Sequence, residues 1–437
     1  MSRGSDRGAS AGASPMPHGL GREDPLGAAF DRLNAEGVEW AVLRGDDAEG
    51  DVDVLVARAD RERLAAVLAS GGFVHVPAAG HASHRFFLAY DRPRDRWLKL
   101  DVVSELSYGP DFALRSYAEA ECLARRRRGD VGALDACDEL WALLLHCLLD
   151  KRAFAAKHRR RLGELAARAT VDSPLARAVD RVAPPEASSA RLLALAGEGA
   201  WEPLLVAGER LRAAWWREQR SGARLRSLRN RSARGLSRIL DPLRRRGFAV
   251  VLLAPDGAGK TTLARSLSET FVLPVSVVYM GLYRRSGGPD RRYRVPGVFV
   301  LERLLLSWGR AVAGFAARAS GRLVVFDRYP YEALLTPPQE MNRLGRGHRI
   351  VLGRSCPHPD LTILLDAPGA VLHARKPERP AEDLERVRRR VADLRRRVPR
   401  AVVVDATPTF DDVRRHVTDV IWRAYHGAPP AATGDQR

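Results

Sequence analysis

The sequence predicts an α/β fold made of two unlike domains joined by a basic linker. After residue 247, apolar β-prone runs alternate with helix-forming segments, which predicts a parallel sheet in a three-layer αβα domain. Within residues 25–116, short strands and two helical patterns predict a smaller α+β domain. Residues 117–209 are rich in Ala, Leu and Arg with few β-branched runs, which predicts a helical extension of that domain.

These boundaries divide the chain into six segments. We expect a disordered tail at 1–24, the α+β domain at 25–116, the helical extension at 117–209, an Arg-rich linker at 210–246, the αβα domain at 247–426 and a second disordered tail at 427–437. The N-terminal segment is rich in Gly, Ser and Ala and has no apolar core, so we do not interpret it as a signal peptide.

The chain is strongly basic, with a formal charge of +19 at pH 7. Such a balance is typical of proteins that bind nucleic acid, anionic lipid or nucleotides, but arginines spread over a solvated surface give the same total. The linker at 210–246 carries 13 arginines that are not confined to one helical face, which favours a solvated helical linker over a membrane or nucleic-acid segment. No aromatic-studded basic groove is evident, so no clear nucleic-acid partner is predicted.

The four cysteines contain no C-x-x-C pair, so neither a zinc site nor a disulfide framework is indicated. No uncharged apolar run reaches the length of a transmembrane helix. We therefore expect a cytoplasmic protein. The apolar helix at Glu139–Phe154 is predicted to be buried, with His146 as a core residue rather than a catalytic one.

A phosphate-binding loop is predicted between the strand Phe248–Leu253 and the helix that follows. Its sequence, APDGAGKTT, matches G-x-x-x-x-G-K-[ST] except that Ala254 replaces the first Gly. Glycines allow successive N–H groups to face phosphate oxygens, while Lys260 supplies a charge for the β- and γ-phosphates and the Thr261 hydroxyl can bind Mg²⁺. A chance Gly-rich turn is the alternative, and the flanking strand and helix argue against it.

Four ordered motifs in residues 248–425 resemble the thymidylate kinase family of P-loop nucleoside monophosphate kinases: APDGAGKTT, VVFDRYPYE, PDLTILLDAPGAVLHARKPE and VVVDATPTFDDV. The resemblance implies ATP and Mg²⁺ as cofactors, with Thr261 and Asp327 near the metal and Arg375–Arg390 as a lid that closes over the phosphates. The nucleotide-binding residues it implies are Asp256, Gly257, Ala258, Gly259, Lys260, Thr261, Thr262 and Thr407. The catalytic residues it implies are Lys260, Asp327, Arg328, Arg375 and Arg379.

The acceptor side departs from that family. The Phe-x-Arg-Glu-Pro-Gly stretch is replaced by a segment that includes Gly281–Gly288, and Pro330-Tyr331-Glu332 stands where the family has Ser and Ala-Tyr-Gln. We therefore expect dTMP to be a poor substrate. Four arginines of the replaced segment are candidates to bind a different anion: Arg284, Arg285, Arg291 and Arg292.

The first domain carries Arg44-Gly45, then Asp51 and Asp53 on an alternating strand, then Asp101 on a later strand. The alternation places Asp51 and Asp53 on one sheet face, and residues 44–50 are predicted to form a turn. This constellation, over about residues 31–103, resembles the nucleotidyltransferase fold, which implies that the three acids hold Mg²⁺. An acid-lined edge strand that retains only the fold is the alternative.

The function expected from these patterns is ATP- and Mg²⁺-dependent phosphoryl transfer to a nucleotide or another small phosphorylated acceptor. Two alternatives stay open: a nucleotide-binding regulatory protein without turnover, and a bifunctional kinase and nucleotidyltransferase. The expected partner is the small-molecule phosphate acceptor, and the oligomeric state is left open, with a homodimer as one option.

Overall fold

The computed structural model describes residues 25–46, 50–129, 131–244, 246–281, 296–335 and 343–427. Both predicted tails, apart from residue 427, lie outside these ranges, as do Arg284, Arg285, Arg291 and Arg292. The chain forms two compact units. One comprises residues up to Asp91 together with Trp97–Arg234, and the other comprises Arg92–Arg96 and the chain from Gly235 onward.

The first unit is built on a mixed five-stranded sheet with the order β1-β2-β5-β4-β3. Its strands are β1 (Trp40–Asp46), β2 (Asp51–Val56), β3 (Val74–Val76), β4 (Arg85–Asp91) and β5 (Arg96–Val103). Strand β2 pairs antiparallel with β1 and parallel with β5. Two helices, α1 (Pro25–Ala35) and α2 (Arg61–Ser70), share a core with the alternate residues Val52, Val54 and Val56 of β2.

The expected turn at 44–50 is shorter than predicted. Strand β1 continues through Arg44 to Asp46, because Gly45 and Asp46 pair with Val52 and Asp51 of the neighbouring strand. The register shifts between Val42 and Arg44, where a bulge re-aims the strand.

The opposite face of the sheet is covered by the predicted helical extension. Ala41, Leu43, Leu55 and Val103 join the core of that region. Its helices are α3 (Glu119–Ala124), α4 (Ala136–Leu145), α5 (Ala156–Ala166), α6 (Pro174–Asp180), α7 (Ser189–Gly197) and α8 (Trp201–Glu218), preceded by a hairpin of β6 (Ser107–Tyr108) and β7 (Leu114–Arg115). Helix α4 continues into a π-helical turn, His146–Lys151. His146 is half-buried in this turn, where it bonds Asp150 at 2.8 Å.

Residues 210–246 are predicted to form an Arg-rich linker, but those up to Arg234 belong to the first unit, where the end of α8 and the start of the next helix lie. Helix α9 spans Arg220–Arg244. The carboxylate of Asp111 accepts from Ser227 Oγ at 2.7 Å and from Arg231 at 3.0 Å, and it also pairs with Arg234. Asn230 donates to the carbonyl of Asp111 at 2.8 Å. Asp111 of the first unit thus contacts four polar side chains that lie on one face of α9.

The second unit contains the parallel sheet predicted from the sequence. Its five strands have the order β12-β11-β8-β10-β9, with bounds β8 (Phe248–Leu253), β9 (Val275–Tyr279), β10 (Leu323–Asp327), β11 (Leu361–Asp366) and β12 (Ala401–Asp405). The helices are α10 (Lys260–Thr270), α11 (Pro296–Ala319), α12 (Arg343–Arg354), α13 (Gly369–Arg375), α14 (Ala381–Leu394) and α15 (Phe410–His426). Every residue of β8 and β10 is buried, as expected for central strands of a parallel sheet.

Within the described ranges, no helix combines the length and apolar character needed to cross a membrane.

We expect Asp111→Ala to loosen the start of α9. Loss of the shared acceptor should lower the free energy of unfolding of this unit by about 1–3 kcal/mol, and amide exchange should rise in residues 220–234. Urea unfolding followed by hydrogen-exchange mass spectrometry measures both effects. The control is Asp172→Ala, whose carboxylate is 70% exposed and also pairs with arginines; it should change stability by no more than about 0.5 kcal/mol. Equal effects of the two variants would contradict the anchoring role of Asp111.

Candidate functional site

The loop between β8 and α10 has the backbone geometry that a phosphate-binding loop requires. Gly257 and Gly259 adopt positive φ angles of 89° and 82°, a region that side chains with a Cβ rarely occupy. A Cβ on Gly257 would also lie 2.9 Å from the carbonyl oxygen of Leu372, so the loop is packed against α13. Ala254 is not among the described residues with positive φ. The departure from the usual first Gly therefore introduces no backbone strain.

Lys260 lies within this loop rather than in solvent. Its side chain is 6% exposed, and its ammonium donates to the carbonyl oxygens of Ala254 at 2.7 Å and Pro255 at 2.9 Å. Burial lowers the pKa of Lys260 below its usual value. The two carbonyls satisfy the buried ammonium, and phosphate oxygens can replace them because both are hydrogen-bond acceptors.

Asp327 ends β10 beside the loop, where it pairs in register with Leu252 of β8. The residue is 2% exposed, and its Oδ2 accepts a 2.7 Å hydrogen bond from Thr261 Oγ1. Its Oδ1 is buried without a hydrogen-bond partner among the described residues. A buried, unsatisfied carboxylate oxygen is costly, and a cation would satisfy it. Mg²⁺ fits this donor set, since it favours oxygen ligands and often uses one carboxylate together with substrate phosphates.

Charged side chains of opposite sign pair with one another beside the loop. Arg328, which has a positive φ of 72°, donates to Asp256 and to Glu332, each at 3.3 Å. Arg379 of the predicted lid lies 3.9 Å from Asp256. Burial alone would raise the pKa of Asp256, but the charges of Lys260 and Arg328 outweigh it and the pKa is lowered. Burial raises the pKa of Glu332.

Glu332 is the site residue that the sequence reasoning did not assign. In the sequence it stands out only as a departure from a motif. Glu332 lies in the 3-10 segment Pro330–Leu335, whereas Arg328 precedes that segment with a positive φ, so no helical spacing predicts that the two side chains meet.

The predicted lid, Arg375–Arg390, begins at the last residue of α13 and extends into α14. Arg375 donates to the carbonyl oxygens of Ala406, Thr407 and Pro408 at 2.7, 3.1 and 3.3 Å. In this arrangement it fixes the turn that contains Thr407, a predicted nucleotide-binding residue. Thr407 itself is exposed, and its hydroxyl bonds Asp405 at 2.7 Å. The catalytic role of Arg375 and the nucleotide contact of Thr407 stay predictions.

The three acids of the first unit share one sheet face but are already paired. Asp53 and Asp101 are register partners on neighbouring parallel strands. Arg44 bonds Asp53 at 2.5 Å, His84 bonds Asp101 at 2.8 Å, and Lys99 lies 3.2 Å from Asp51. Among the residues that the structure describes, no three or more His, Cys, Asp or Glu side chains form a group that could hold a metal. A metal at Asp51, Asp53 and Asp101 stays a prediction. To bind there it would have to displace the side chains that now pair with these acids.

Comparisons with known proteins do not show a family for this chain. No family model matches the chain, and no curated protein matches it. Among solved structures, a thymidylate kinase from Candida albicans matches 41% of this chain and 94% of its own, at 18% identity and a TM-score of 0.32. The chemical assignments therefore depend on the geometry of this chain.

We expect Gly257→Ala to weaken nucleotide binding. The added Cβ meets the carbonyl of Leu372 in a backbone conformation that alanine disfavours, so the loop must shift and ATP affinity should fall by about tenfold or more, the equivalent of about 1.4 kcal/mol. Titration calorimetry with Mg²⁺ and a non-hydrolysable ATP analogue measures the change.

Gly163→Ala serves as the matched control. Gly163 lies inside α5, and no atom outside its own helix backbone comes within 4 Å of the position that a Cβ would occupy. Its φ is not positive. That variant should bind the analogue with unchanged affinity and should gain about 0.5–1 kcal/mol of stability. Unaltered affinity in Gly257→Ala would contradict the role of this loop.

Proposed function

We propose that this protein is an ATP- and Mg²⁺-dependent phosphotransferase, with its reaction centre at the loop between β8 and α10. The observation that carries the proposal is the buried Oδ1 of Asp327, which lacks a partner among the described residues while Oδ2 is fixed by Thr261. A carboxylate held in this way at the end of a strand, beside a Gly-rich loop with a buried lysine, has the donor chemistry of a metal–nucleotide site.

The residues of the site divide the work of phosphoryl transfer. The N–H groups of the loop and of the start of α10 bind phosphate oxygens, and Lys260 exchanges its two loop carbonyls for them. Thr261 and Asp327 would hold Mg²⁺, which when bound neutralises charge that develops on the phosphates. Arg328 and Arg379 bring positive charge towards the transferred group. Closure of the lid Arg375–Arg390 would exclude water from the reaction.

We expect Lys260→Ala to reduce ADP production by about 10²–10³-fold, because removal of one charge-stabilising donor costs this much in comparable sites. The fold should be retained, since the ammonium donates its hydrogen bonds to the loop itself. Lys157→Ala, which alters an exposed lysine of the first unit, is the control and should keep the wild-type rate. A coupled assay for ADP measures turnover, and calorimetry measures ATP binding.

The assay also separates catalysis from regulation. A nucleotide-binding protein without turnover would bind ATP through Lys260 yet release no ADP with any acceptor, water included. Unchanged ADP production in Lys260→Ala would remove the catalytic assignment.

We expect Asp327→Asn to weaken the binding of Mg²⁺ selectively. The amide oxygen can still accept the hydrogen bond of Thr261, whereas an NH2 group, which is a donor and carries no negative charge, replaces the oxygen assigned to the metal. The Mg²⁺ concentration that gives half-maximal ADP release should rise by about tenfold or more, as for loss of metal-orienting groups. An unshifted Mg²⁺ dependence, with normal turnover, would show that Asp327 does not serve the metal.

A further inference from the structure

Two carboxylates pair with the guanidinium of Arg328 beside the loop between β8 and α10. Arg328 donates through Nη1 to Glu332 and through Nη2 to Asp256, each at 3.3 Å. The backbone of Arg328 is held at a φ of 72°, a conformation that a non-glycine residue keeps only where its surroundings determine it. The arrangement is therefore built into the end of β10 and is not a chance surface pair.

Glu332 shares Arg328 with Asp256, a residue of the loop between β8 and α10. Burial lowers the pKa of Lys260 in that loop, and the negative charge of Glu332 opposes this shift. The Glu332 side chain is 19% exposed and does not form the hydrogen bond to Thr261, which belongs to Asp327. A carboxylate that is not assigned to the metal therefore lies close to where the γ-phosphate of ATP is expected to bind.

On the basis of the proposed function, we propose that the acceptor is a hydroxyl group of an uncharged molecule. Glu332 is its general base, and Asp256 is a hydrogen-bond acceptor that positions it. This differs from the phosphorylated acceptor expected from the sequence.

The negative charges of Asp256 and Glu332 favour an uncharged acceptor over a phosphorylated one. A phosphate monoester brings about two negative charges at neutral pH, and it would meet two carboxylates that already pair with the two terminal nitrogens of Arg328. Like charges at this range are repulsive and reject the wrong partner. A phosphate oxygen is moreover already ionised and needs no base, whereas an alcohol needs a group that accepts its proton as the new bond forms.

The transfer is balanced as follows. A lone pair of the acceptor hydroxyl oxygen forms the new O–P bond to the γ-phosphorus. The bond from that phosphorus to the β,γ-bridging oxygen breaks, and its electron pair leaves with ADP. The hydroxyl proton passes to the carboxylate of Glu332 and then to solvent, so that the products are a phosphate monoester, ADP and one proton.

The experiment offers full-length protein and Mg·ATP pairs of acceptors that differ only in a phosphate group: thymidine and dTMP, glycerol and glycerol 3-phosphate, and glucose and glucose 6-phosphate. Water, the simplest hydroxyl acceptor, is present in every reaction. We expect ADP release to be faster with the hydroxyl member of a pair than with its phosphate ester. Where no member exceeds the rate with water alone, the hydrolysis rate itself is the readout.

The decisive variant is Glu332→Gln, which keeps the size of the side chain and removes the base. Its rate with a hydroxyl acceptor, or with water, should fall by about 10²–10⁴-fold, while the affinity for the non-hydrolysable ATP analogue should not fall. Glu269→Gln, at an exposed position near the end of α10, is the control and should keep the wild-type rate.

The outcomes separate this inference from the function on which it rests. Faster ADP release with the phosphate ester than with its hydroxyl partner, or a wild-type rate in Glu332→Gln, overturns the hydroxyl acceptor and leaves phosphotransfer standing. The phosphotransferase itself is overturned if the wild type does not bind Mg·ATP. It is also overturned if the wild type binds Mg·ATP but releases no ADP with any acceptor, water included.

Discussion

The hydrogen bond from Thr261 Oγ1 to Asp327 Oδ2, 2.7 Å long, is the constraint on which the second unit's site depends. It joins the first turn of α10 to the end of β10, the strand that pairs with β8. Because Asp327 is 2% exposed, this bond and the register of the two strands fix where the remaining oxygen lies. Burying a charge is costly unless it is compensated, so the fold holds an acid in a place that only a cation would favour.

The charges around this oxygen are balanced against one another rather than left open. Lys260 and Arg328 carry the positive charges, and Asp256 and Glu332 offset them within the same few ångströms. Burial disfavours the ionised form of both Lys260 and Glu332, which makes each depend on the other. This balance of charge is what the proposed nucleotide binding and the proposed uncharged acceptor require.

The first unit uses ionic pairing differently. Its acids on β2 and β5 form hydrogen bonds with Arg44, Lys99 and His84. Asp111 organises the basic helix α9 by the same means. A basic chain therefore does not imply a basic binding surface, because many of its arginines are partners of specific carboxylates within the same unit.

A strand with a strong apolar pattern was determined by the sequence alone: β8 has the predicted bounds, Phe248–Leu253, and the predicted phosphate-binding loop lies between that strand and a helix. Elements with weak local signals were not, such as the three-residue β3 and α12, whose segment RLGRGHRIVLGR contains glycines that lower helix propensity. Only the tertiary structure decided that Arg375 binds the turn at Ala406, that Glu332 lies beside Arg328, and that Asp327 keeps one oxygen unpaired among the described residues. Local sequence encodes periodicity and loop chemistry, but a side chain's partner is chosen by strand order and packing between residues distant in the chain, which no local pattern records.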